Sequence, residues 1–221
     1  MLEIHKTITS CKSCSLCSNQ TPLIHNNSNA EVFWVGLSAV KTENMFDMPL
    51  SETTNSGKLL YRIESQFNSE SFYRTNLVKC LPLDDQSKIR YPVGFEMKHC
   101  FSNLELEFDY FKPKLVFLLG KPVATFVLNK YGIREFNLDN EFKYTVYQIE
   151  NTVFVPVHHP SYILVYKRKL VELYIRRIQS IIEKINDESV EMNTSLHFTS
   201  KKNYSYVILP QQDYISLITK V

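Results

Sequence analysis

Short apolar runs separated by stretches of helical periodicity dominate the chain. Residues 31–36 (EVFWVG) form a β-rich apolar run ending in glycine, the pattern of a buried strand feeding a loop. Strand character returns at 72–78 and 115–119, and residues 142–149 and 152–157 predict a hairpin turning at Glu150 and Asn151. Between these runs the period lengthens. Residues 56–63 predict a helix with Ser56 as N-cap and Leu59, Leu60 and Ile63 on one face. Met97, Phe101, Leu104, Phe108 and Phe111 mark a second helix over 95–110, and Gly132 closes a third over 123–131. Leu170, Leu173, Tyr174, Ile178, Ile181, Ile182 and Ile185 define an amphipathic last helix. Residues 40–56 and 81–92 are polar or proline-containing and predict loops. Strands alternating with helices predict an α/β fold, three layers α/β/α around a mostly parallel sheet. No fixed period repeats, which excludes a solenoid. We expect one domain over residues 1–188 and a C-terminal extension, 189–221, whose run at 204–209 reads as an edge strand or a docked tail.

Composition narrows this little. Of 221 residues, 44% are hydrophobic and 22% charged, ordinary globular values that argue against a disordered chain. The net charge of +2 announces no global field for nucleic acid, so such contacts must come from local patches such as Lys79, Lys167, Arg168, Lys169, Arg176 and Arg177. Residues 1–6 carry no apolar signal core, and Lys121 interrupts the most apolar stretch. A cytoplasmic monomer without a membrane span is expected.

Five cysteines change the picture. Cys11, Cys14 and Cys17 crowd the N-terminus, whereas Cys80 and Cys100 stand far downstream. An odd number without an export signal argues for reduced thiols that bind metal or stay inert rather than for disulfides. The loops after predicted strands, at 36–40, 75–80, 119–121 and 158–162, hold the other conspicuous polar residues. In open α/β sheets ligands bind outside the carboxyl ends of the strands, so these loops could share one site.

Taken in order, the segments resemble the uracil-DNA glycosylase superfamily, most closely its iron–sulfur branch, family 4. The matching elements are C-x-x-C at Cys11 and Cys14, Val35-Gly36, Pro49 followed by S-G-x-L-L at 56–60, and Y-x-T-N-x-V-K-C-x-P at 73–82. Cys100, P-K-x-V-x-L-L-G at 113–120 and H-P-S-Y at 159–162 complete the series, which covers roughly residues 8–185. The resemblance implies a 4Fe–4S cluster held by Cys11, Cys14, Cys80 and Cys100. Zinc is the alternative, since four thiolates suit either metal. Cys17 is then spare and expected to lie apart, although Cys14 and Cys17 also form C-x-x-C and the register could slide.

It also implies DNA containing a target base as partner, and hydrolysis of an N-glycosidic bond after the nucleotide is flipped out. Asn76 would read the base edge, its amide offering a donor and an acceptor; the other reading is a turn-capping asparagine. His159 would hydrogen-bond the base carbonyl on which negative charge develops, or be an ordinary loop histidine. Gly36, Ser38 and Leu50 would line the base pocket. Ser161, Tyr162, Ile163 and Leu164 fall where the superfamily places a wedge, with Lys167 and Arg168 as phosphate contacts; core packing is the alternative for the apolar ones.

Two departures matter. The family's glutamate after the first glycine is replaced by Leu37, which leaves Asp47 first and Glu43 second as carboxylates to polarise water, unless both are solvated loop acids. Leu50 stands where the branch usually has a phenylalanine that stacks on uracil, so the pocket is expected to be wider. Uracil is the default base. A bulky modified pyrimidine, as phage DNA can carry, is the runner-up; a non-catalytic Fe–S DNA-binding homologue and a zinc structural protein are readings from other classes.

Overall fold

The structure is a computed structural model that describes residues 2–41 and 47–186. Among the described residues five strands form one sheet: β1 (Val32–Ser38), β2 (Phe72–Val78), β3 (Leu115–Leu119), β4 (Tyr147–Ile149) and β5 (Thr152–Val157). Their order is β2-β1-β3-β5-β4, parallel except for β4, which runs antiparallel to β5. Every residue of β2 and β3 is buried, as expected for strands covered on both faces.

Six helices are described: α1 (Glu3–Thr9), α2 (Asn55–Glu64), α3 (Gly94–Phe111), α4 (Lys121–Lys130), α5 (Pro160–Tyr166) and α6 (Val171–Asn186). One apolar layer joins the sheet to α3 and α4 through Phe101, Leu104, Val123 and Val127. The other joins it to α2, α5 and α6 through Leu59, Leu60, Ile163, Tyr174 and Ile178. The α/β/α expectation is met.

Local differences have local causes. Thr54, not Ser56, caps α2, because its Oγ1 accepts from the Gly57 N–H at 3.0 Å. Of the run expected as strand over 142–149, only Tyr147–Ile149 pairs; Phe142 has a left-handed φ of 60° and Tyr144 makes an isolated bridge to Leu138. The residues after His159 form α5 rather than a loop, with Pro160 in the first turn, where its missing N–H costs nothing. The run at 204–209 lies outside the described residues. No helix of the described residues is long and apolar enough to cross a membrane.

Candidate functional site

The sheet order places β1 between β2 and β3, and β1 and β2 run side by side with Gly36 opposite Asn76. A cavity of about 240 Å³ opens at the carboxyl ends of these strands, lined by Ser38, Leu50, Asn76 and His159 together with Leu23, Leu37, Val40, Pro49, Thr54 and Ser56. Five segments separated in sequence thus meet at one place.

Gly36 is required by close approach. A Cβ built there would lie 2.3 Å from Asn76 Oδ1 and 3.6 Å from Leu50 Cδ2. The bare backbone lets the Asn76 amide lie across β1, beneath Leu50. Asn76 is 3% exposed, and its amide makes no hydrogen bond to another described residue, so its donors and acceptor are available to a ligand. A turn-capping role does not account for that.

His159 is held differently. Its Nδ1 accepts from the Ser161 backbone N–H at 3.1 Å and lies 2.8 Å from Ser161 Oγ. A backbone amide can only donate, so Nδ1 carries no proton and the neutral ring is protonated on Nε2. Burial pushes its pKa down to about 4, so the ring is neutral at pH 7. The preceding residue fixes the approach: Tyr174 Oη donates to the His158 carbonyl at 2.8 Å, and Tyr144 Oη lies 2.8 Å from His158 Nδ1.

A second groove, about 670 Å³, shares Leu37 and His159 with this cavity and is lined by Tyr91, Lys121, His158, Ser161, Tyr162 and Tyr166 among others. Tyr162 stacks on His158 with ring centroids 5.2 Å apart, while Val165 and Tyr166 are well exposed. Leu164 and Arg168 instead line a separate cleft with Lys58 and Arg62, and the Arg168 Nε donates to the Leu164 carbonyl at 2.7 Å. Lys167 follows at the end of α5, partly exposed.

Two expectations, for Ile163 and Lys79, are corrected. Ile163 is fully buried in the layer between α5 and the sheet and cannot reach DNA. Lys79 is no phosphate contact: it is fully buried, its Nζ 2.5 Å from Glu107 Oε2 and 2.6 Å from Thr75 Oγ1. Asp47 is half-buried and does not line the cavity, and Glu43 lies outside the described residues. The described lining residues include no carboxylate.

The cysteines converge. Cys11, Cys14, Cys80 and Cys100 surround one small cavity, but Cys17 lines it too and does not lie apart. Cys17 belongs to a 3-10 turn, Ser15–Ser18, whose Leu16 is buried in the core, and this folds the third thiol back toward the others. Burial, then the neighbouring thiols, push the Cys80 pKa up to about 12. Two donors already face sulfur: the Lys79 N–H lies 3.2 Å from Cys100 Sγ, and Asn103 Nδ2 lies 3.3 Å from Cys11 Sγ. The thiols share the lining of one small cavity, and among the described residues no group of three or more His, Cys, Asp or Glu stands close enough to hold a metal ion. An all-sulfur donor set with amide donors at its edge fits a cluster of iron and sulfur.

Sequence reasoning missed Arg74, a buried cation two residues before Asn76 on the same strand face. An arginine inside a strand expected to be buried was the available signal, since such a charge needs a partner. The overlap of the two C-x-x-C pairs was likewise the signal for Cys17.

Comparison with known proteins bears on this arrangement. The family model of the uracil DNA glycosylase superfamily matches residues 24–183, more than half of the chain. The type-4 uracil-DNA glycosylase of Archaeoglobus fulgidus is 27% identical over 180 residues, covering 78% of this chain and 86% of that protein. The crystal structure of Pedobacter heparinus SMUG2 shares the fold at 15% identity, with a TM-score of 0.50 over 74% of this chain and 79% of that one. With its sheet, its cavity and its histidine in the matched region, the chain belongs to the uracil DNA glycosylase superfamily and is a DNA N-glycosylase, a hydrolase whose substrate is DNA.

Proposed function

We propose that the chain excises uracil from DNA by hydrolysing the N-glycosidic bond of a flipped-out nucleotide, leaving an abasic site without cutting the strand. The observation that carries this reading is the pairing, across one cavity, of the unpartnered Asn76 amide with a neutral His159 whose Nδ1 is already engaged. A pyrimidine edge presents an N–H and a carbonyl, which an asparagine amide complements. The His159 Nε2–H would donate to the carbonyl that gains negative charge as the base leaves. A neutral donor in a partly dry site does this without a proton transfer, and the loss of one such donor costs about 10² to 10³ in rate.

Water activation falls to the loop after β1 in this reading, with Asp47 first and Glu43 second, because Leu37 and Ser38 cannot take a proton. Ser161 and Tyr162 would contact the strand beside the flipped nucleotide, with Leu164, Lys167 and Arg168 further along the DNA. A 4Fe–4S cluster on Cys11, Cys14, Cys80 and Cys100 would clamp the N-terminal segment to the segment after β2 and to the N-terminal half of α3, a structural task. Zinc is the competing occupant.

One observation favours a second base. The described lining residues include no phenylalanine, tyrosine or tryptophan, and Leu50 and Val40 give the pocket apolar cover. A pyrimidine bearing a bulky substituent is therefore the alternative substrate. Base release under single turnover from DNA carrying uracil or substituted pyrimidines, read by alkaline cleavage, tests both. No release from any of them by iron-loaded protein would refute the proposal. Asp47→Asn, Glu43→Gln and the double variant test the acid; full activity in all three would remove the loop carboxylates from the mechanism.

A further inference from the structure

We infer that Arg74 is a positioning residue that fixes Leu50 over the pocket and thereby sets which bases the pocket admits, an inference that rests on the pocket reading above. Arg74 is 2% exposed and sits on β2, two residues from Asn76 and on the same face. Its Nε and Nη2 donate to Glu64 Oε1 and Oε2 at 3.2 and 2.6 Å, a bidentate pair with the end of α2. The guanidinium plane is thereby set, and Nη1 donates to the Leu50 carbonyl at 3.1 Å. Glu52 Oε1 lies 3.8 Å from Nη2, and no other carboxylate is ion-paired with Arg74 among the described residues.

Leu50 needs such a hold. Its φ of 54° is left-handed, a conformation that is strained for a non-glycine residue and persists only where the surroundings over-determine it. The next carbonyl is tied from the other side. Thr54 donates to Ser51 O through its Oγ1 at 2.8 Å and its N–H at 2.9 Å, and a Cβ built on Gly57 would lie 2.0 Å from the same oxygen. The turn is thus clamped between a strand arginine and the first turn of α2. The Leu50 side chain emerging from it lies against Gly36 and closes the wall beside Asn76. Without the Nη1 bond Leu50 relaxes toward an ordinary φ and that wall withdraws. Lysine cannot substitute, because one ammonium cannot hold both Glu64 oxygens and a third acceptor in a fixed plane.

The test uses the full chain with its metal. Arg74→Met alone would strand the Glu64 carboxylate, so Arg74→Met with Glu64→Gln removes both charges, and Arg74→Lys keeps the charge while losing the fork. Two readouts apply: hydrogen exchange of the Thr54 amide, and the ratio of single-turnover rates for a 5-substituted uracil and uracil. Either variant is expected to speed exchange about tenfold and to raise the ratio about tenfold, the effect of one lost hydrogen bond. Lys114→Gln, which breaks an ion pair with Glu31 at the amino ends of β1 and β3, should move neither. Unchanged exchange or an unchanged ratio in both folded variants, with an active parent, overturns the role of Arg74. A parent that releases no base at all overturns the pocket reading instead, and the selectivity with it.

Discussion

Gly36→Ala tests the site at its tightest point. The new methyl would stand 2.3 Å from Asn76 Oδ1, so the amide must withdraw by roughly 1 Å to restore van der Waals contact. The opposing side is closed by Leu50 Cδ2 at 3.6 Å, and both neighbours lie on pinned backbone, β2 and the Leu50 turn. Overpacking of this kind costs about 1–3 kcal/mol of stability, which leaves a folded protein. The functional cost is larger in proportion. A displacement of about 1 Å in a group that orients substrate can lower the rate on the order of 10²-fold. Asn76→Ala removes the same amide and should cost a similar amount. Because both substitutions act through one amide, they should not add: Gly36→Ala introduced into Asn76→Ala should cost less than about threefold more. The assay is single-turnover base release, with thermal denaturation and iron content measured on the same samples. Full activity and unaltered base preference in folded Gly36→Ala would refute the reasoning, as would two losses that multiply.

Four further outcomes are expected. His159→Ala should lower base release by about 10² to 10³-fold, and the parent's rate should show no inflection near pH 6.5, because burial holds the ring neutral down to about pH 4; an inflection near 6.5 that vanishes in the variant would mean a solvated histidine. His25, also pushed down to about 4 by burial and then by Arg74, behaves alike in stability: below about pH 6.5 the unfolded chain takes up protons that the folded protein refuses, so stability is full above that pH and falls toward pH 4. Melting temperature against pH should show this fall, and His25→Gln should flatten it. Glu107→Gln should destabilise by about 3–5 kcal/mol, since it strands the Lys79 ammonium in a fully buried site; urea denaturation measures it, and a change under 1 kcal/mol would contradict a charged pair. Serine at Cys11, Cys14, Cys80 or Cys100 should abolish bound iron while Cys17→Ser retains it, read by metal content and visible absorption; loss of iron in Cys17→Ser with retention in Cys11→Ser would exchange their roles.

The architecture can be read from the amino-acid order alone, because burial on both faces writes an unbroken apolar run and helix packing writes a 3.6-residue period. The strand runs at 31–36, 72–78, 115–119 and 152–157 and the long helices were legible for that reason, although β1 continues to Ser38 where a loop was expected. The motif residues Asn76 and His159 were legible by resemblance, and the structure brings them to one cavity. Chemistry that depends on approach between distant segments was not legible. Nothing local in Ile163 separates a wedge from a core residue; the packing of α5 on the sheet decides it. Lys79 reads as a free cation until α3 sets Glu107 against it. Cys17 joins the other thiols only because the turn around Leu16 folds back. The Leu50 turn depends on a strand arginine 24 residues away, with an acid on α2 to hold it. A side chain's type is a property of the sequence, whereas its partner, its protonation and its exposure are set by what the fold places within a few ångströms.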